Sequence, residues 1–509
     1  MSKHIVIAYN AVIAKIIDPD KSTKLLVQQY LSYRVAGAEN SAAFKLGNWD
    51  GRSSFFDYTK GTFPRGFVDY VSDALSSQGY VVRLAFKPYP EALGVENPIV
   101  DAFGNDNPDY DYQMATVNEL LKRGQMIAQV ATGGGKSKIA RLAFARINRP
   151  TLFLTTRSIL MYQMATSFKN DLGVECSILG DGHFGHENAK GGRSIKKISC
   201  GMVQTLAARL RNPDPLDPIE KQNAQLAVQE QTRKLLSIFE FVILEEAHEA
   251  SGESYYEIMK WCKNAHYRLA LTATPFMKDD EEANMRLMAC SGSIGIKVSE
   301  ELLIARGILA KPYFKFVAMK ERPSKLLRST PWQAAYRIGI VENEYRNRHI
   351  VYEASRAAQR GMTVAILIQH KKHGELLRDA LNAAGIKTEF IFGENDQEER
   401  KRAINKLANG DIQVLIGSTI LDVGVDVPAI GMVILAGGGK AEVALRQRIG
   451  RGLRKKKSGP NVALVVDFTD EGNMHLSSHA KQRQAIIRDT KGFGENIIAG
   501  DFDFTGLGL

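Results

Sequence analysis

Seven residues, Ala131-Thr132-Gly133-Gly134-Gly135-Lys136-Ser137, are of the kind that grips a polyphosphate. Three consecutive glycines let the backbone curl until its N–H groups point into one concavity, and a helix starting just beyond adds partial positive charge. Lys136 then reaches the β- and γ-phosphates of a nucleoside triphosphate, and the Ser137 hydroxyl meets its Mg2+. The strict form of such a loop has glycine five residues before the last one, and here that place holds Val130. About 110 residues on, the apolar run Phe241-Val242-Ile243-Leu244 ends in Glu245-Glu246. A strand closing on two carboxylates sets them at the carboxyl edge of a parallel sheet, facing the phosphate loop. One can hold Mg2+ through water, and the next can orient or deprotonate an attacking water. Each motif alone also reads plainly, as a glycine-rich turn and as the acidic start of a helix. A third group, Gln447, Arg451 and Arg454, falls at i, i+4 and i+7 on one helix face. An arginine fork there can neutralise charge in phosphoryl transfer, although basic runs also form solvated faces.

These residues need sheets to hold them. At roughly 150 residues per domain, 509 residues make three or so domains. With 44% hydrophobic and 24% charged residues, collagen-like, mucin-like and disordered classes are excluded. No apolar run approaches the ~20 residues of a membrane-spanning helix, and the start lacks the unbroken apolar stretch of a signal peptide. The four cysteines lie far apart with no CxxC pair, which predicts reduced thiols in a cytoplasmic protein without a cysteine-bound zinc. The net charge of +11 favours a polyanionic partner.

Residues 1–107 read as a small α+β module. It has a hairpin expected around Asn48-Trp49-Asp50-Gly51 and a helix carrying Phe67, Val71 and Leu75 that stops at Gly79. A Pro- and Gly-rich stretch then marks a boundary near 107. Residues 108–306 alternate strand, loop and helix, with strands expected at 125–130, 151–155, 198–203, 241–244 and 268–271. The alternation predicts a parallel sheet covered by helices. An inter-lobe linker is expected over 307–348, with residues 323–348 bridging the lobes. A second α/β lobe over 349–509 has strands at 363–368, 389–392, 412–416, 432–435 and 461–466 and a closing C-terminal helix. Residues 212–236 are a Gln- and charge-rich insertion expected to be a surface helix.

Together these motifs resemble a superfamily 2 nucleic-acid helicase or translocase, and most of all the UvsW-type phage DNA helicases that remodel branched DNA. The resemblance covers nearly the whole chain. It implies two tandem RecA-like lobes that use ATP and Mg2+. It makes Thr132 to Ser137 the nucleotide loop, Glu246 the catalytic base, Arg451 and Arg454 arginine fingers with Gln447 beside them, and Gln113 of Tyr112-Gln113 the reader of adenine. Leu271-Thr272-Ala273-Thr274-Pro275 is similar to the motif coupling hydrolysis to grip, through Thr272 and Thr274. Gly424-Val425-Asp426-Val427-Pro428 resembles a motif placing Asp426 by the nucleotide and Thr419 by the nucleic acid. The family usually has Asp where Glu245 stands, and the added methylene moves a carboxylate by about 1.5 Å at a near-octahedral Mg2+ site.

For grip on phosphates, Thr155-Thr156-Arg157 and Gln204-Thr205 end strands of the first lobe, and Gln369-His370-Lys371 ends one of the second. They resemble backbone-contact motifs, and with Thr419 they predict sequence-independent, salt-sensitive binding. In the N-terminal module, Lys45, Trp49 and Arg52 can stack on or clamp a DNA duplex; Trp49 reads equally as a core residue beside a turn. Lys481, Arg483 and Arg488 on the closing helix are further candidate DNA contacts. The function expected is ATP-dependent unwinding and branch migration of forked or Holliday-type DNA in replication, recombination or repair, in a phage-infected bacterial cytoplasm. An RNA helicase, or a branched-DNA-binding scaffold of weak turnover because of Glu245, are the alternatives.

Overall fold

The computed structural model describes residues 3–101, 107–187, 193–247, 252–276, 280–393, 397–418, 429–439, 449–450, 452–456 and 459–509. The chain forms two compact units. One comprises Met1–Val130 with Gly135–Lys297, the other Ala131–Gly134 with Val298–Leu509.

The first unit begins with strands β1 (Lys3–Tyr9), β2 (Ile13–Ile17), β3 (Ser32–Arg34), β4 (Arg52–Ser54), β5 (Thr62–Pro64) and β6 (Tyr80–Phe86). They make a four-stranded sheet ordered β5-β2-β1-β6 and a separate β3-β4 pair. Alternation in β2 buries Ala14 and Ile16 and exposes Ile13, Lys15 and Ile17, the pattern of a sheet covered on one face. The helix Val68–Ser77 covers that face with Val71 and Leu75, and the chain leaves it through Gly79 at φ +83°. The same core takes in Met285 and Ala289 from the helix Glu281–Ser291, so the N-terminal module shares its interior with the larger sheet of this unit.

That sheet has nine strands: β7 (Gln125–Val130), β8 (Thr151–Thr155), β9 (Cys176–Gly180), β10 (His183–Glu187), β11 (Arg193–Ser194), β12 (Ile198–Met202), β13 (Phe241–Glu245), β14 (Tyr267–Thr272) and β15 (Ile294–Val298). Their order is β11-β10-β9-β12-β8-β13-β14-β7-β15. The pairs from β9 through β7 are parallel. Strands β8, β13 and β14 are buried at every position, as strands flanked by helices on both faces must be.

The second unit holds a parallel six-stranded sheet ordered β16-β21-β20-β17-β19-β18. Its strands are β16 (Lys311–Ala318), β17 (Val364–Leu367), β18 (Thr388–Ile391), β19 (Val414–Gly417), β20 (Met432–Ile434) and β21 (Val462–Thr469). The helix Met474–Asp489 closes the unit, and Phe502 and Phe504 beyond it join the sheet's core.

Two sequence expectations change, and a third holds. The segment 48–51 is no hairpin tip: it follows the short helix Ala42–Lys45 and leads into β4, whose partner β3 ends at Arg34. The turn residues were legible, but the strands they join are separated by a helical excursion. The expected linker 307–348 contains β16, an edge strand of the second sheet. Its later part packs Leu326, Ala335, Tyr336, Ile340 and Val341 against Leu476 of the closing helix, within the second unit. The insertion is a helix, Ile219–Leu236, entered through Pro218. No described helix is long and apolar enough to cross a membrane.

Candidate nucleotide and nucleic-acid site

Strand β7 runs into the glycine-rich turn, and the helix Lys136–Ile147 leaves it. The Gly134 N–H donates to the Ala131 carbonyl at 3.0 Å, and Gly133 and Gly135 adopt φ of +88° and +81°. Those left-handed values explain glycine at both places, since an L side chain there is strained. Gly135 caps the helix, so Lys136 and Ser137 occupy its first turn, where free N–H groups favour an anion.

At the carboxyl end of β13 the Ser137 hydroxyl meets Glu245, with Ser137 Oγ 3.3 Å from Glu245 Oε1. Glu245 is buried, and its other oxygen, Oε2, has no hydrogen-bond partner among the described residues. Burial, reinforced by the neighbouring Glu246 carboxylate, pushes the Glu245 carboxyl up to about 7; Lys136, Ser137 and Arg141 oppose the rise. Glu246 follows at φ +48°, a left-handed backbone on a residue that rarely takes it. Strain of this kind is held by the surrounding fold and clusters at functional sites.

Gln113, on the helix Asp111–Arg123, is 1% exposed, and its Oε1 lacks a partner among the described residues. Its Nε2 lies 2.5 Å from where a Cβ on Gly135 would stand, so the glutamine packs against Gly135 at the start of the helix. Arg141 belongs to the same neighbourhood although the sequence reading passed over it. It stands four residues after Ser137, on the same helix face, and pairs with Asp171 at 2.8 Å while its charge acts on Glu245. The i, i+4 spacing was the signal available. At the end of β14, the Thr274 N–H donates to Thr272 Oγ1 at 3.2 Å, and the Thr274 hydroxyl is buried with no partner among the described residues.

The strand-end residues expected to hold nucleic acid also converge. Gln204 Nε2 donates to the Thr156 carbonyl at 3.0 Å, tying the end of β12 to the end of β8. The Arg157 N–H donates to Thr155 Oγ1 at 3.3 Å, and Thr205 is half-buried beside Gln204. Lys45 is exposed at the end of its helix. Trp49 is half-buried rather than a core residue, and its indole N–H donates to the Arg52 carbonyl at 2.6 Å. Arg52 is spoken for: its guanidinium donates to the Ser32 carbonyl at 3.0 Å and lies 3.5 Å from Glu281.

In the second unit, Gln369 and His370 are exposed just past β17. The turn Gly437-Gly438-Gly439 past β20 is held by three donors. Tyr336 Oη reaches the Gly437 carbonyl at 2.7 Å, Gln369 Nε2 that of Gly438 at 3.2 Å, and Arg483 Nη1 that of Gly439 at 2.8 Å. This corrects the expectation that Arg483 contacts DNA. It is 3% exposed and its Nε pairs with Asp467 at 3.0 Å. Arg454 is half-buried, and burial lowers its guanidinium pKa. Thr419, Asp426, Gln447 and Arg451 lie outside the described residues.

The family model for the type III restriction enzyme res subunit matches residues 108–277, that for the helicase conserved C-terminal domain residues 346–456, and that for the N-terminal domain of the DNA helicase UvsW residues 5–85. Among curated proteins, the chain is similar to the ATP-dependent DNA helicase uvsW of Enterobacteria phage T4. The two are 25% identical over 487 residues, covering 92% of this chain and 91% of that one. It is also similar to the DNA 3'-5' translocase XPB2 of Sulfurisphaera tokodaii, 24% identical over 411 residues, covering 74% and 84%. Among solved structures, the helicase domain of Hef from Pyrococcus furiosus shares the fold at a TM-score of 0.50 and 16% identity, over 73% of this chain and 97% of that one.

Proposed function

We infer that the chain is a superfamily 2 ATP-dependent DNA helicase or translocase, similar to the UvsW-type phage enzymes, and that it unwinds and branch-migrates forked or four-way DNA. The observation that carries the motor reading is the contact of Ser137 with Glu245, which joins the start of the phosphate-loop helix to the acidic strand end.

In this reading the first-turn N–H groups and Lys136 bind the nucleotide's phosphates, and the buried acceptor on Gln113 takes a donor of the adenine ring. Glu246 orients the attacking water and takes its proton, a task worth about 10²–10⁴ in rate. Arg454, with Gln447 and Arg451, meets charge developing on the phosphoryl group. Mg2+ suits Ser137 and Glu245, because a hydroxyl and a carboxylate with an unused buried oxygen are hard-cation donors. When bound it polarises the phosphates and neutralises their charge.

Thr156, Arg157, Gln204 and Thr205 in the first unit, and His370 and Thr419 in the second, hold the nucleic-acid backbone in alternation as ATP is bound and hydrolysed. We place the N-terminal DNA-binding domain at 1–107, with Lys45 and Trp49 as its surface contacts. The ATP-binding lobe follows at 108–306, the second lobe, expected over 349–509, also takes in β16 and the segment 326–341, and the protein acts in the cytoplasm of the host bacterium.

The test measures ATP hydrolysis at fixed salt with no nucleic acid, single-stranded DNA, duplex DNA, forked and four-way DNA, and structured RNA. Greatest stimulation by branched DNA, lost in Lys136→Ala, is expected. Greatest stimulation by RNA would overturn the DNA assignment, and background turnover on every substrate would overturn the motor reading and leave a binding scaffold.

A further inference from the structure

Four aromatic rings stand in sequence within the second unit. The ring of His370, just past β17, is 6.3 Å from Tyr336; Tyr336 is 5.3 Å from Trp332, and Trp332 is 4.5 Å from His479 on the closing helix. Tyr336 is buried, whereas His370 is exposed and Trp332 half-exposed. The row begins at the carboxyl edge of a parallel sheet, where ligands of such sheets bind.

Trp332 is also fixed from both sides. Ahead of it, the buried Asn473 amide nitrogen lies 2.9, 3.2 and 3.0 Å from the carbonyls of Leu327, Arg328 and Thr330. Behind it, the Tyr336 hydroxyl is bonded to Gly437, and the helix Trp332–Tyr336 passes into a π-helical turn, Arg337–Val341. Gly339 within that turn packs so closely on Leu476 that a Cβ would stand 2.5 Å from its Cδ1. Single π-helical turns interrupt helices most often at functional sites. The indole packs at the rim of the core formed by Leu326, Ala335, Ile340, Val341 and Leu476 and stays half-exposed there.

Basic residues flank it in sequence. Arg328, four residues before Trp332, is exposed, and Arg337, five residues after it, shares the carboxylate of Glu342 with Lys372, at 3.2 and 3.5 Å. Aromatic platforms in a basic setting are how proteins hold unpaired strands without reading sequence.

We propose that Trp332 is a base-stacking platform for a single-stranded segment of DNA, with Tyr336 and His479 as its supports and His370 at its strand-end side. This rests on the DNA-motor reading above. It assigns the second unit a contact with bases, distinct from the phosphate contacts of the strand ends.

The experiment measures, at fixed salt, affinity of the full chain for a deoxythymidine oligonucleotide and for an abasic oligonucleotide of equal length. The protein, Trp332→Ala and Trp332→Phe are compared, with an oligouridine arm alongside. Stacking of one base is worth about 1–3 kcal/mol, or about 5- to 150-fold in affinity. Trp332→Ala is expected to lose about that factor on the base-bearing strand, to keep its abasic binding, and to be restored by Trp332→Phe. Equal loss on both strands, which a merely structural role would give, overturns the proposal, as does no loss on either. A base-dependent gain confined to RNA also overturns it. Failure here leaves DNA-stimulated ATP turnover intact, whereas failure of the motor reading removes that turnover whatever stands at 332.

Discussion

The hydroxyl of Ser137 lies 3.3 Å from Glu245 Oε1, so one contact links the helix after the phosphate loop to the strand that ends in the acidic pair. The longer side chain, where related motors carry Asp, therefore still reaches the serine. Glu245→Ala is expected to raise the Mg2+ concentration for half-maximal ATP turnover by about 10- to 100-fold, the usual scale for losing an oriented metal contact. Glu245→Asp is expected to recover most of that loss. A Mg2+ titration of turnover checks both, and an unchanged requirement in the alanine variant would remove Glu245 from the metal's surroundings.

Glu246 has a different expectation, because it stands in the place of the base and its backbone is left-handed. Glu246→Gln keeps the shape and loses the base, so turnover should fall by about 10²–10⁴ while nucleotide affinity stays within a few-fold. Glu246→Gly tests the strain separately. It relieves the φ penalty and should inactivate without lowering the melting temperature as much as a helix-interior glycine does. Turnover and melting curves on the same preparations decide.

Much of this site was legible because its chemistry is local in sequence. Gly133 to Ser137 form a contiguous loop, and Glu245-Glu246 end an uninterrupted apolar strand, so type and spacing sufficed. The central strands were legible for the same reason: β7 and β8 are short apolar runs buried on both faces. What escaped was set by long-range packing. Arg483 reads as one more basic residue on a polar helix, and only the fold shows Asp467 waiting beneath it. The segment 48–51 has the residues of a tight turn, yet nothing local says that β4 pairs with β3 across a helical excursion. Residues 311–318 looked like linker because their neighbour β21 lies about 150 residues away in sequence.

The Arg483–Asp467 pair gives a stability prediction that separates structure from DNA contact. Both side chains are buried, and removing one partner strands the other's charge. Arg483→Ala should therefore cost about 3–5 kcal/mol, read by urea unfolding. Lys481→Ala, on the exposed side of the same helix, should cost under about 0.5 kcal/mol. If Arg483→Ala instead unfolds like the wild-type chain and only weakens DNA binding, the arginine is a surface contact after all.

A buried histidine supplies the pH dependence. Burial pushes His373 down to about 3, and the charge of Arg346 and the neighbouring His370 push the same way. Its Nε2 lies 3.0 Å from Asn347 Oδ1, where a neutral ring donates that proton. The unfolded chain binds a proton at His373 below about 6.5 that the folded chain refuses down to about 3. Its contribution is thus fully present above pH 6.5 and is lost as pH falls through that window. His373→Gln keeps a donor for Asn347 and removes the titration. At pH 7 the variant should be the less stable, and the gap should close on acidification by up to about 1.4 kcal/mol per pH unit below 6.5. Urea unfolding of both proteins from pH 7.5 to 5 measures that gap. A gap that stays constant would mean the ring takes up its proton in the folded state too, and would place His373 in contact with water.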